Sequence, residues 1–170
     1  MKKQIGTFDA FQETIERLSE KSGGDGLLLI AGRNGNPMTI GWGTIGIIWK
    51  IPIFTVLVRH TRYTHELIEQ SGQFSVNVLD DGYGKQIMYC GTNSGRDGDK
   101  VKACGFTLEH GTLIDIPHLR EASVVYECRI VHRNEVTPET LQEGIYKHYY
   151  TREALHTVYN GEILGVFKEE

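Results

Sequence analysis

Two polar clusters hold the residues best suited to chemistry: Asn36-Pro37-Met38-Thr39-Ile40-Gly41-Trp42 and Arg59-His60-Thr61-Arg62-Tyr63-Thr64. The second sets two guanidiniums and two threonine hydroxyls directly after an apolar stretch. Those are the donors an anionic group such as phosphate needs, because guanidinium bonds to oxyanions are charge-assisted and often bidentate. In the first cluster Trp42 has polar neighbours and offers a flat face. Between the clusters, Ile45 to Val58 is broken only at Gly46, Lys50, Pro52 and Thr55. The pattern points to a nucleotide-like ligand with a charged tail and an aromatic head.

Helix capping accounts for only part of the second cluster. Thr61 is placed to N-cap a following helix, with Glu66 in its early turns. Arg59 and Arg62 are left over, because they set positive charge near the helix's positive end. That arrangement costs roughly a few tenths of a kcal/mol or more unless an anion offsets it. A phosphate accepting from backbone N–H, hydroxyl and guanidinium together resolves the conflict. A third segment, Gly91 to Lys100, adds Ser94, Arg96 and Lys100 as donors, although such a glycine-rich run is as readily a surface loop.

Other motifs fail on context. Gly41-Trp42-Gly43-Thr44-Ile45-Gly46 fits the dinucleotide fingerprint, and Glu66 lies at the expected distance. That fingerprint must open a helix, whereas Ile47-Ile48-Trp49 and Ile53 to Val58 are β-rich around Pro52. Asp97-Gly98-Asp99 suggests a calcium loop, but Lys102 stands where the turn glycine belongs and Leu108 where the closing glutamate belongs. No Cys-x-x-Cys or His-x-x-x-His pair starts a zinc site, so no metal is expected. Three widely spaced cysteines, Cys90, Cys104 and Cys128, read as inert reduced thiols of a cytoplasmic protein. Most of the histidines read as surface or satisfied side chains.

The elements that must position these residues follow from periodicity. Phe8 to Leu18 has helical spacing, and Lys21 to Gly26 ends it. Leu27 to Ala31 is a buried strand, Asn34-Gly35 a hairpin turn, and Met38 to Ile48 and Ile53 to Val58 are strands. A short helix after Thr61 stops at Gly72. Strands are then expected at Phe74 to Leu79, Leu113 to Ile116, Ser123 to Val136 and Gly144 to Tyr150, with a last hairpin across Asn160-Gly161 ending at Ile163 to Phe167. Many short strands with hairpin turns favour an antiparallel barrel over a doubly wound sheet. At 170 residues, the chain suits one domain, 1–170, with residues 1–22 as a helical lead-in. A net charge of −4 without a basic stripe argues against nucleic acid. No apolar run spans a membrane, and no apolar stretch follows Lys2-Lys3 to make a signal peptide.

Taken in order, these segments resemble the flavin reductase-like, FMN-binding split-barrel family, in its flavoredoxin-type branch. The resemblance is carried by Asn36 to Gly43, Arg59 to Ile68, Phe74 to Leu79, Gly91 to Lys100 and His156-Thr157-Val158-Tyr159-Asn160-Gly161-Glu162-Ile163-Leu164. It implies a mainly β, six-stranded antiparallel Greek-key split barrel, forming a homodimer with non-covalent FMN near the interface. By the same resemblance, backbone groups of Met38, Thr39 and Ile40 meet the isoalloxazine edge, with Asn36 and Trp42 close by. Arg59, Thr61, Arg62 and Thr64 hold the phosphate, and Ser94 and Lys100 bind the phosphate or the ring carbonyls. His156 falls where related reductases place a histidine at the flavin's reacting face, although Ala154-Leu155 replaces the usual acidic context. The implied activity is NAD(P)H-dependent reduction of FMN, with electrons passed to flavin, a partner monooxygenase or another acceptor. The alternatives are an electron carrier that exchanges electrons only with protein partners, and a barrel that has lost flavin.

Overall fold

Alternating apolar side chains build the antiparallel strands that frame the fold, described by a computed structural model over residues 2–18 and 25–169. A short strand β1 (Lys3–Ile5) and helix α1 (Phe11–Leu18) lead into β2 (Leu27–Ala31), β3 (Asn36–Ile40), β4 (Gly43–Ile48) and β5 (Ile51–Arg59). Helix α2 (Tyr63–Ser71) precedes β6 (Gln73–Val78), followed by helices α3 (Gly84–Thr92) and α4 (Lys100–Cys104). The small strands β7 (Leu108–Glu109) and β8 (His118–Leu119) pair with each other. Strand β9 (Val124–Glu135), helix α5 (Glu143–Tyr149) and strand β10 (His156–Lys168) complete the order.

Eight strands form one antiparallel sheet in the order β3-β2-β6-β9-β10-β5-β4, with β1 pairing to the far half of β10. The path's two ends, β3 and β4, are joined only by Gly41-Trp42, so the sheet must curl until its edges meet. No ladder joins β3 to β4 among the described residues, which leaves the barrel split at that seam. The class is therefore the expected mainly β antiparallel split barrel. Its sheet has eight strands rather than six: β1 adds to the far half of β10, and the Met38–Ile48 span is two strands broken at Gly41-Trp42.

All five residues of β2 are buried because both of its faces are covered. Leu27, Leu29 and Ala31 enter the barrel core with Phe54, Phe74 and Tyr126. Leu28 and Ile30 enter a second core with Ile87, Cys90, Phe106 and Ile116. Helix α1 is tied to the first core by a polar contact, as Thr14 Oγ1 lies 2.8 Å from the Tyr126 hydroxyl and donates to Ala10 O at 2.7 Å. The fully buried carboxylate of Glu127 accepts from Thr112 N at 2.7 Å and Leu113 N at 2.6 Å. This holds residues 112–116 as a loop, not the expected Leu113–Ile116 strand.

Other expectations fall to identifiable packing. Asn160-Gly161 is no hairpin: it lies inside β10 at a register shift against β9. A Cβ on Gly161 would sit 2.6 Å from the Phe74 ring and 3.0 Å from Cys128 Cβ, so glycine there marks a close approach. Gly144 to Tyr149 is helical, with Tyr150 as its C-cap, Gln142 Oε1 accepting from Ile145 N at 3.1 Å and Lys147 pairing with Glu143. The β4–β5 reversal uses Trp49 and Lys50, both at positive φ (51° and 62°), as a two-residue hairpin demands. Trp49 is 61% exposed and lies outside both cores. The Asn34-Gly35 hairpin is present, closed by Gly35 N donating to Gly32 O at 2.9 Å. Residues 19–22 of the lead-in and 21–24 of the expected turn lie outside the described residues. No helix among the described residues is long and apolar enough to cross a membrane.

Candidate functional site

Strand β5 ends at Arg59, and Arg62 N donates to Arg59 O at 3.0 Å, turning the chain into α2. The N-cap is Arg62 in extended conformation, and no side chain caps the helix. Thr61 thus does not fill the capping role its position suggested, and the first-turn donors keep the partial positive charge of a helix start. Thr64, 2% exposed, accepts at its hydroxyl from Asn36 Nδ2 at 2.9 Å. Arg62 makes no side-chain hydrogen bond or ion pair among the described residues.

Lys100 supplies the second cation. It is 5% exposed, and its ammonium donates to Cys90 O at 3.1 Å and Asn93 O at 3.3 Å, carbonyls at the C-terminal end of α3. No carboxylate pairs with it among the described residues. Burial, reinforced by the nearby Arg62 cation, pulls Lys100 below the usual lysine range. Ser94 anchors the intervening turn, its carbonyl accepting from Asp97 N and its hydroxyl from Arg96 N. Arg96 clips that turn to α2, donating to Thr61 O at 3.2 Å and to Glu66 while lying over the Tyr63 ring. A Cβ on Gly95 would fall 2.0 Å from Asn36 Oδ1, so a side chain there would displace the amide that donates to Thr64.

The aromatic end is built where the barrel is split. Trp42 packs edge-on to Tyr149 at 5.0 Å and tilted to His156 at 5.2 Å. His156 is buried, with Nδ1 2.9 Å from the Tyr150 hydroxyl. Burial first, then the Coulomb influence of Arg59, His60 and Arg62, pushes its pKa down to about 4, so the imidazole is neutral at neutral pH. Arg59 is largely engaged by the neighbouring segment, donating to Ala154 O at 2.6 Å, 3.6 Å from Glu153 and over the Tyr150 ring. The Thr39 hydroxyl donates to Ile87 O in α3. Because β3 ends the sheet path, half of its peptide groups point away from β2.

Two adjoining cavities collect the residues that the resemblance assigned to a ligand, whereas Arg96 borders neither. One of about 80 Å³ is bordered by Asn36, Met38, Thr61, Arg62, Thr64, Ser94 and Lys100. The other, about 160 Å³, is bordered by Met38, Thr39, Ile40, Trp42, Arg59, Arg62 and His156. Met38 and Arg62 face both. A larger open cleft of about 870 Å³ lies beyond Gly95, but it touches none of Thr39, Trp42, Arg59, Arg62 or His156. The chemistry therefore converges on the smaller pair. Sequence reasoning missed Tyr149 and Tyr150, which it placed in a strand; the Glu143–Lys147 spacing was the helical signal available.

Comparison with known proteins establishes the family. The flavin reductase like domain matches residues 24–167, and the chain belongs to that family. Flavoredoxin from Methanosarcina acetivorans is similar in structure, with a TM-score of 0.68, 29% identity, and coverage of 85% of this chain and 68% of that one. Flavoredoxin of Desulfovibrio vulgaris (Miyazaki F) shares the fold at a TM-score of 0.68 and 24% identity, over 85% of this chain and 69% of that one. An uncharacterized protein of Archaeoglobus fulgidus is 31% identical over 109 residues, 64% of this chain. The chain spans only 61% of that relative's length.

The depressed His156 pKa sets a pH dependence. Between about 4 and the ordinary 6.5, the unfolded chain binds a proton that folded His156 refuses, so stability falls as pH drops through that window. The contribution is fully present above 6.5. His156→Gln should flatten the stability-versus-pH slope there by up to about 1.4 kcal/mol per pH unit, leaving the shares of His65 and His118, which are also depressed. Urea unfolding at stepped pH reads this directly, and an unchanged slope would show that His156 is protonated in the fold.

Proposed function

We propose that this domain is a flavoprotein oxidoreductase that holds FMN non-covalently across the two adjoining cavities. The observation that carries the reading is the pair of cations without carboxylate partners, Arg62 and buried Lys100, beside an α2 N-terminus that no side chain caps. That donor set fits a phosphate, and Thr61, Thr64 and Ser94 border the same cavity. The Thr64 hydroxyl accepts from Asn36 and keeps its own proton to donate. Arg59 would act at longer range, since Ala154 and Glu153 engage it.

The ring would lie against Met38 to Trp42. Bound FMN would supply hydride acceptance at its N5 atom, leaving the protein to bind, orient and tune it. The open edge of β3 offers peptide N–H groups toward the ring's polar rim, where donors stabilise developing negative charge. His156, held by Tyr150, adds hydrogen bonding without adding charge. Electrons would enter from NAD(P)H and leave to free flavin, a partner monooxygenase or another acceptor. A second reading is a flavoredoxin-type carrier without a nicotinamide site, favoured by the Methanosarcina likeness and by the Tyr149 edge packed on Trp42. Ile47, Ile48 and Trp49 are exposed at the β4–β5 tip, with His132 of β9 against Trp49 and Val131 exposed beside it. This apolar patch supports a homodimer. The free thiols Cys90, Cys104 and Cys128 suit a cytoplasmic setting.

Arg62→Ala should weaken FMN by about 1.5–3 kcal/mol in a calorimetric titration while barely changing riboflavin, because it removes a charge-assisted phosphate bond. Equal weakening of both ligands would defeat the phosphate assignment. Anaerobic mixing of the FMN-loaded protein with NADH or NADPH should bleach the flavin. If neither nucleotide bleaches it and a reduced ferredoxin or rubredoxin does, the carrier reading replaces the reductase one.

A further inference from the structure

Fourteen positions separate Cys90 from Cys104, yet their sulfurs lie 3.8 Å apart. The turn from 93 to 98 folds α4 back on α3 and brings them together. Both thiols are free. Cys90 is 1% exposed and borders the cavity assigned above to the phosphate; Cys104 is half-buried and within reach of solvent. The pair is not isolated from the site, because Cys90 O accepts from the Lys100 ammonium, and Lys100 and Cys104 are the two ends of α4. Cys128 makes a contrast, fully buried in the barrel core away from this pair.

We propose that Cys90 and Cys104 form a reversible oxidation site, closed to a disulfide by hydroperoxides, and that closure changes the grip of the adjoining cavity on its ligand. The second clause rests on the FMN reading; the first does not. Hydrogen peroxide is the product a reduced flavin makes with oxygen, so the oxidant class is one such a site would generate.

The chemistry balances in two steps. The Cys104 thiolate attacks the peroxide; the O–O bond breaks, hydroxide leaves and is protonated to water, and Cys104 becomes a sulfenic acid. Sulfur of Cys90 then attacks sulfur of Cys104; the S–S bond forms, the S–O bond breaks, and the departing hydroxide takes the Cys90 proton as water. Two thiols and one hydrogen peroxide give one disulfide and two waters, with two electrons passing from sulfur to peroxide oxygen. Cys104 is the attacking group because it is the accessible one. Burial and the neighbouring Cys104 raise the Cys90 pKa to about 12, which suits a resolving thiol held in contact better than a freely reactive one. The sulfurs must close from 3.8 Å to about 2.05 Å, drawing α3 and α4 together beneath Lys100.

Treating the intact protein with a modest excess of hydrogen peroxide, followed by non-reducing peptide mapping, tests the bond. A Cys90–Cys104 disulfide that dithiothreitol reverses, with Cys128 still free, is the expected result. Cys90→Ser should instead leave a Cys104 sulfenic acid trapped by dimedone. Sulfinic acid without a disulfide, or a disulfide that includes Cys128, would overturn the site. FMN titration of the reduced and oxidised forms tests the coupling, with at least a threefold change in dissociation constant expected and identical constants overturning it. Should the reduced protein bind no FMN, the functional reading fails and the mapping alone decides the thiol pair.

Discussion

The ammonium of Lys100 is the contact from which the rest of the site can be reasoned. A buried cation without a carboxylate is expensive to desolvate, by several kcal/mol. Here the C-terminal carbonyls of α3 offset part of that cost, and their partial negative charge favours a cation at that end. The arrangement requires α4 to start beneath the end of α3. Asp99 helps by capping α4, its carboxylate accepting from Lys102 N at 3.0 Å, and Gly105 ends the helix in left-handed conformation. Gly95 and the Arg96 clip then fix the turn between the helices against Asn36 and α2. In the reading proposed above, a ligand's anion meeting the ammonium from the cavity would complete what the carbonyls begin.

The barrel contributes the opposite end through a topological constraint. Joining β3 to β4 by only Gly41-Trp42 while placing them at opposite ends of the sheet path forces the curl. That curl sets Trp42 at the seam, against His156 at the start of β10. Arg59 pairs directly opposite His156 across β5 and β10, so the last residue of one strand sets the electrostatics of the first residue of another. This is part of why His156 stays neutral. The cation-rich wall adds to burial in keeping the imidazole unprotonated, and it would suit a ligand that carries its charge at one end.

The cation cluster at the start of α2 was legible because its argument was local. Two arginines at a helix start conflict with the helix's own field, and the conflict is visible in sequence. Lys100 was flagged as a donor, but its burial under α3 was not readable, since it depends on how α4 folds back. Asn160-Gly161 misled because the same dipeptide that permits a hairpin also permits Phe74 to pack against a strand without a Cβ. The Gly144–Tyr150 segment misled because its aromatics favour strands, whereas a Gln142 cap and no partner strand decide for helix. The cysteines read as solitary for the same reason that Lys100's partners were hidden. Contacts made by chain reversal between helices leave no periodic trace.

The central claim is that Arg62 and Lys100 grip a phosphate dianion at the start of α2. The most direct measurement is the phosphorus NMR resonance of FMN, free and bound, followed across pH. Free phosphomonoester titrates near a pKa of about 6. Bound between two cations and a helix N-terminus, it should remain dianionic, with a resonance that stays constant through the range where the free ligand shifts. A bound resonance that titrates as the free one does would contradict the account.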